Sequence, residues 1–261
     1  MVRVADEKTC WHIQYDTIGS TNEEARHILA TTNRRPPGMI SAVQQTAGKG
    51  RAGRSWISPA GNLYCTLILS PHVAASQLPQ LSFVAALALR KTIVTYLQDG
   101  VSCQYKWPND VQVDGKKIAG ILLERYNAST VLVGIGLNVA HHPELPDQQA
   151  THLNAYHAPK NPIKSQLSDI LEALSVHMLE YQGQWEREGF SAIAQEWLKN
   201  VAGIGQKVKV RLAKQEDSGI FKTISPEGAL ILLLPDGQEK HITAGDVFFA
   251  DSVLGESVAC Y

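Results

Sequence analysis

The segment Gly48 to Arg54, written GKGRAGR, sets three cations, Lys49, Arg51 and Arg54, among three glycines. Glycine lets the chain fold tightly enough to turn amide N–H groups inward, and the cations add charge, so such a loop can close around a phosphate or carboxylate. A solvated surface turn is the alternative; three cations in seven residues between strand-like segments favour the ligand. The loop also comes near a Walker A sequence, since Gly48, Gly53, Arg54 and Ser55 fit G-x-x-x-x-G-K-[ST] with arginine in place of lysine. A P-loop opens a helix, whereas WISPAGNLYCTLIL carries a proline and then reads as strand, which argues against it.

Lys106 begins KWPND, where the proline is expected to stop regular strand pairing and leave the lysine free to project into a cleft. A surface lysine beside an Asn-Asp turn is an equal alternative from these five residues alone. In VGIGLN, Gly134 and Gly136 weaken an apolar strand unless something approaches its backbone closely. A flat ligand ring would do so, and a tightly packed helix, slightly favoured locally, would do it too. His141 and His142 precede Pro143 in a polar stretch, and because adjacent side chains rarely converge on one ion, loop surface is the better account. No Ser/His/Asp or Cys/His set with supporting local sequence speaks for an acyl-enzyme.

These residues need elements to hold them. Ser20 and Thr21 each have an acid three positions on, Glu23 and Glu24, and Ala25, Ile28 and Leu29 follow at helical spacing, so a capped helix is expected to begin there. The Pro-rich TTNRRPPG ends it, Met39 to Gln45 is expected as a strand feeding the basic loop, and NLYCTLIL as the strand after it. Apolar residues recurring at three and four between Leu78 and Leu97 predict a long core helix with Pro79 in its first turn. CQYKW, VQV and KKIAGILLE read as strands, the last two joined by an Asp114-Gly115 turn, with VLVGIGLNV from Val131 as another. Residues 140–162 are polar and Pro-rich, as suits a surface excursion. Leu167, Ile170, Leu171, Leu174 and Met178 form a helical stripe, and Phe190 to Leu198 belongs to a shorter helix. KVKVRLA, GIFKTI, ALILLL, KHIT and DVFF then predict a small barrel.

A chain of 261 residues can bury a large core, or a large and a small one, without disulfide or metal staples. Its 44% hydrophobic and 19% charged residues fit a globular protein that folds throughout. With 24 basic against 25 acidic residues, no overall field draws it to nucleic acid or an anionic membrane. Cys10, Cys65, Cys103 and Cys260 lack zinc spacing and are expected as reduced thiols. MVRVADEKTCWH lacks the apolar run of a secretory signal, and no stretch of about eighteen apolar residues occurs, so a cytoplasmic protein without membrane contact is expected. The short stretch before Ser20 leaves no room for a helix-turn-helix module, so binding to nucleic acid is not expected. A non-enzymatic RNA-binding module is the alternative from another class, disfavoured by the neutral balance and the lack of interleaved aromatics.

Taken together, STN at 20–22, QQTAGKGRAGRSW at 44–56, KWPND, KKIAGILLE and VGIGLN resemble, in kind and order, the biotin-protein ligase family, in its monofunctional type without an N-terminal DNA-binding domain. GIFKTISPEGALILLLPDG and TAGDVFF look like that family's small C-terminal SH3-like barrel. The resemblance implies an α+β fold, a mixed, largely antiparallel sheet backed by helices and related to class II synthetases. Residues 1–200 would then be the biotin- and ATP-binding catalytic domain and 201–261 the SH3-like domain. It also implies formation of biotinyl-5'-AMP and transfer of biotin to a lysine of a biotin carboxyl carrier protein. Lipoate-protein ligase is the nearest rival; KWPND and GKGRAGR favour biotin.

By the same resemblance Lys106 is catalytic, placed between the biotin carboxylate and the α-phosphate, and Arg51 closes with its loop over the adenylate. Ser20, Thr21, Asn22, Gln45, Gly48, Lys49, Arg51, Lys106, Gly134 and Gly136 are the expected biotin contacts. Arg51, Arg54, Trp56, Lys106 and Asn138 are the expected ATP or adenylate contacts. Mg²⁺ is expected with ATP, its ligands unassigned. Three positions depart from the family's habit: Lys49 where arginine is usual, Asp246 where glutamate is common, and Ala250 where many members have a basic residue. Lysine keeps the charge and loses the bidentate fork. Family dimers pair sheet edges, which leaves a homodimer open.

Overall fold

The computed structural model describes residues 2–6, 10–145, 149–156, 167–212 and 215–249, the first of these segments by its backbone alone. Ala250, Cys260 and parts of the 140–162 segment lie outside the described residues. The first ten elements are β1 (Val2–Asp6), β2 (Trp11–Ile18), α1 (Thr21–Thr31), β3 (Gly38–Gln45), β4 (Leu63–Leu69), α2 (Leu81–Val94), β5 (Cys103–Lys106), β6 (Asp110–Val113), β7 (Lys116–Arg125) and β8 (Val131–Leu137). Their strands form one eight-stranded sheet in the order β1-β2-β3-β4-β8-β7-β6-β5. β2 and β3 run parallel, joined through α1, and the other pairings are antiparallel.

β1 and β2 precede α1, where no element is expected from the sequence. In WHIQYDTI, Trp11 and Ile13 are buried at alternate positions, but the polar residues between them keep the stretch from standing out as apolar. β4 is buried at all seven positions, so both of its faces are covered. Leu63, Cys65, Leu67 and Leu69 join the main core, while Ile68 packs with Trp11, Ile13, Ala25, Ile40 and Leu132 beneath α1. Alternation puts Tyr64 and Thr66 on that second face too. α1 touches β3, β4 and β8.

The other face carries α2, flanked by α3 (Leu167–Glu188) and α4 (Phe190–Leu198). α2 begins at Leu81; Leu78 and Pro79 belong to a 3-10 turn spanning Ala75–Gln80 ahead of it. Phe83 meets Phe190 and Trp197 edge-on at 5.2 and 5.0 Å between ring centres, and Trp197 stacks on Tyr105. Asp114 and Gly115 both take positive φ in the tight turn joining β6 to β7, as the dipeptide predicts.

β9 (Lys207–Arg211), β10 (Glu216–Ile224), β11 (Leu230–Leu233), β12 (Glu239–Ile242) and β13 (Asp246–Phe249) form a second, antiparallel sheet in the order β12-β11-β10-β9-β13. It is seated on the first unit by Trp107 Nε1 and Gln80 Nε2, which donate to the carbonyls of Gly228 and Pro226, each at 3.1 Å. Gly228, at φ 88°, lies so close to Phe83 that a Cβ there would be 2.7 Å from the ring. The expected α+β class holds: a mixed, largely antiparallel sheet backed by helices, with a smaller β unit after it.

Candidate active site

At the start of α1 the expected capping box does not form. Ser20 holds the N-cap position without a side-chain cap bond. Glu24 instead accepts from Tyr15 Oη at 2.6 Å, and Glu23 pairs with Lys49. Thr21 and Asn22 turn inward: the Thr21 amide and hydroxyl donate to Gln45 Oε1 at 2.8 and 3.2 Å, and Asn22 Nδ2 donates to Glu124 Oε2 at 3.0 Å. Thr66 Oγ1 lies 2.9 Å from Thr21 Oγ1 and 2.5 Å from Asn22 Oδ1. This network is possible because Gly134 has no side chain, since a Cβ there would be 2.4 Å from Asn22 Oδ1.

Gly136 and Gly120 are cross-strand partners, and they form a flat seat for the Trp56 indole. Added Cβ atoms would lie 2.4 and 3.0 Å from its ring. Of the two accounts open for the VGIGLN glycines, a helix residue fits Gly134 and a flat ring fits Gly136, the ring being the protein's own.

The basic loop is a narrow hairpin. Lys49 bridges Ser55, the Gly50 amide donates to the Arg54 carbonyl at 2.7 Å, and the Trp56 amide to the Gly48 carbonyl at 2.9 Å. Its tip turns through positive φ at Ala52 and Gly53, and no α-helix follows before β4, which excludes a P-loop. Arg51 Nη1 donates to Asn109 Oδ1 at 2.8 Å, and Arg54 Nη2 to Asp246 Oδ1 at 3.0 Å.

Regular strand pairing stops before Pro108, as expected, with β5 ending at Lys106. Trp107, Pro108 and Asn109 form the turn of a hairpin, and Lys106 faces Asp110 across it. Lys106 Nζ also sits 5.6 Å from the centre of the Phe248 ring, within cation-π range. Burial pulls the Lys106 ammonium below the ordinary lysine value, with Asp110 opposing the shift; burial lowers Arg51 as well.

Lys117 is a site residue that sequence reasoning missed. Its Nζ lies 2.7 Å from Asp110 Oδ2, with the two side chains only 15% and 13% exposed, and 5.4 Å from the Trp56 ring centre. Strict alternation could not reveal it, because the register shifts between Val111 and Gln112, and Ile118 and Ala119 both enter the core. That bulge leaves Lys117 and Gly120 together on the cleft. Asn62 was also missed: its Oδ1 accepts from the amides of Val139, Ala140 and His141 at 2.9, 2.9 and 3.0 Å, fixing the turn after β8.

These parts enclose a cavity of about 240 Å³. Ser20, Thr21, Asn22, Gln45, Lys49, Arg51, Arg54, Trp56, Lys106, Gly134, Gly136 and Asn138 all line it, together with Asn109, Asp110, Lys117, Gly120 and Leu122. Gly48 does not. The close approach it allows is to the loop's own stem, where a Cβ would lie 2.4 Å from the Trp56 carbonyl oxygen. β13 adds Asp246, Val247 and Phe248, a contribution from the small unit that the sequence did not suggest.

Three lining atoms, Trp56 Nε1, Asp110 Oδ1 and Asn138 Oδ1, are buried without a hydrogen-bond partner. Unmet donors and acceptors inside a protein are costly, so their convergence on one cavity marks a place for a polar ligand. Asn138 Nδ2 donates to the Thr151 carbonyl at 3.0 Å, which orients Oδ1 as the free acceptor. Around them Lys106, Lys117, Arg51 and Arg54 supply positive charge suited to phosphates and carboxylates.

Residues 16–139 match the Biotin/lipoate A/B protein ligase family, and residues 203–250 match the Biotin protein ligase C terminal domain. A biotin–[acetyl-CoA-carboxylase] ligase of Paracoccus denitrificans is 37% identical over 245 residues, covering 88% of this chain and 97% of that protein. The bifunctional ligase/repressor BirA of Bacillus subtilis is 31% identical, covering 94% of this chain and 74% of its own length. Among solved structures, the biotin protein ligase from Aquifex aeolicus in complex with biotin and ATP superposes with a TM-score of 0.76 at 26% identity, over 93% of this chain and 98% of that one. Similarity that spans both units and nearly the full length of the Paracoccus protein leaves one assignment: the chain belongs to the biotin protein ligase family.

Proposed function

We propose that the chain activates biotin with ATP as biotinyl-5'-AMP and then transfers the biotinyl group to one lysine of a biotin carboxyl carrier domain. The carrying observation is the convergence of Lys106, Lys117 and Arg51 on a cavity whose Trp56, Asp110 and Asn138 hold unpartnered polar atoms. The relatives support the substrates: one is named for acetyl-CoA carboxylase, and another was solved with biotin and ATP.

A carboxylate acylates poorly because oxide would have to leave. In the first half-reaction a biotin carboxylate oxygen bonds to the α-phosphorus as the bond to pyrophosphate breaks. In the second, the acceptor amine attacks the acyl carbon, the bond to AMP breaks, and the amine gives up a proton. Two anions must meet in the first step, and Lys106 and Lys117 are placed to screen them and to stabilise the charge that develops. Arg51 closes the loop over the mixed anhydride and limits attack by water. Ser20, Thr21, Asn22 and Gln45 take the ureido head group, whose polar atoms need buried partners. Arg54, Trp56 and Asn138 take the nucleotide side.

Mg²⁺ belongs to this reading as ATP's counter-ion. Asp110 Oδ1, buried without a hydrogen-bond partner, would be the chain's one contact to it among the described residues, the other oxygen of that carboxylate being paired with Lys117. The ion would otherwise rest on phosphate oxygens and water. Residues 1–200 would form the catalytic domain and 201–261 the SH3-like one, a division supported by the separate sheets.

The test is ATP–pyrophosphate exchange with biotin, lipoate or no acid, followed by a chase with a carrier domain and mapping of the acylated lysine. Biotin-dependent exchange and transfer are expected. Exchange with lipoate alone would overturn the substrate, and exchange with neither would overturn the reaction.

A further inference from the structure

Ser58 is buried, at 6% exposure, and is not among the cavity-lining residues, yet it joins two parts of the site. Gln45 Nε2 donates to Ser58 Oγ at 2.9 Å, and Ser58 Oγ donates to the Trp56 carbonyl at 2.8 Å. The Ser58 carbonyl in turn accepts from the Gln45 amide at 3.1 Å. Gly48 makes room for this junction: a Cβ there would lie 2.5 Å from Ser58 Oγ and 3.0 Å from Gln45 Nε2.

The chain of bonds sets the polarity of Gln45. Its Oε1 already accepts from the Thr21 amide and hydroxyl, so both lone pairs are engaged. Of its two Nε2 protons one goes to Ser58, and the other is left to point at a ligand. Gln45 therefore meets the ligand as a donor, and Ser58 holds it in that role while anchoring the carbonyl of Trp56, whose indole roofs Gly136.

We propose that Ser58 is a positioning residue for recognition of the acid substrate. Through Gln45 it presents one N–H to an acceptor oxygen on the head group, the carbonyl of a cyclic urea, and it ties that contact to the stem of the basic loop. The inference rests on the function proposed above.

Steady-state kinetics of Ser58→Ala and Ser58→Thr, read by pyrophosphate exchange, test it. Ser58→Ala should raise KM for biotin about tenfold, as loss of one buried hydrogen bond does, with KM for ATP unchanged and kcat within about twofold. Ser58→Thr, which keeps the hydroxyl, should return KM for biotin to within about threefold of wild type. A structural role alone would lower the melting temperature and the active fraction without moving KM for biotin, and that result overturns the proposal. So does an unchanged KM in Ser58→Ala, or a common rise in KM for both substrates. If Ser58→Ala fails to fold, Ser58→Cys takes its place, its thiol being a weaker donor and acceptor, and a KM for biotin equal to wild type overturns the proposal equally. Wild-type protein assayed alongside separates the failures: without biotin-dependent exchange the function is wrong, and with it only the role of Ser58 is at stake.

Discussion

Arg54, in the basic loop, and Asp246, at the start of β13, lie 192 positions apart and meet at 3.0 Å, so the small C-terminal sheet holds one side of the loop that borders the cavity. The pair is well exposed, at 56% and 41%, which limits its worth to about 1 kcal/mol or less. Asp246→Lys should therefore speed release of biotinyl-5'-AMP only about two- to fivefold in a trapping assay, and Asp246→Glu should leave it unchanged. The difference should shrink at high salt, as screening requires. Equal release from both variants at low salt would refute the tether.

Lys106→Ala should lower kcat for adenylate formation by about 10²- to 10³-fold, the usual loss for one preorganised charge at a reacting centre. Single-turnover measurement with biotin and ATP reads this directly. Wild-type turnover would remove Lys106 from the chemistry.

In the proposed reaction the ammonium form of Lys106 would screen the two anions, and burial lowers its pKa below the ordinary 10.5. Raising the pH through that lowered value neutralises it, so kcat/KM should fall on the alkaline side earlier than an exposed lysine would allow. At lower pH the ammonium is fully present and this loss is absent. In Lys106→Arg the alkaline limb should move to higher pH, because arginine keeps its charge. An identical limb in both proteins would assign it to another group.

Arg51 reaches Asn109 across the cavity, so Arg51→Gly removes the contact that holds the loop to the 107–109 turn. The variant should still form adenylate and should release it to solvent, acylating exposed lysines of bystander protein. Retention equal to wild type in a trapping assay would defeat this.

Gly136→Ala places a methyl 2.4 Å from the Trp56 ring, which must move. Overpacking of this kind costs about 1–3 kcal/mol. A lower melting temperature with a changed tryptophan emission and weaker biotin binding is expected, measured by calorimetry and fluorescence. Unaltered emission and affinity would mean that Trp56 does not rest on Gly136.

The sequence alone determined what depends on local composition and order. Glycines among cations define the loop of residues 48–54, Asp114-Gly115 defines its turn because both residues tolerate positive φ, and the order of five short motifs carries the family resemblance. Tertiary structure decided what depends on register and on contacts across long separations. The bulge at Ile118 turns Lys117 toward Asp110, a shift that no alternation rule contains. Ser20 and Thr21 look like a capping box, yet Glu23 and Glu24 are drawn to Lys49 and Tyr15 instead. The motif KWPND left Lys106 balanced between surface and cleft, and its place was settled only when β13, 140 residues further on, set Phe248 over it. Side chains converge on a cavity only after the sheets have packed, because packing alone fixes which distant strands share a face.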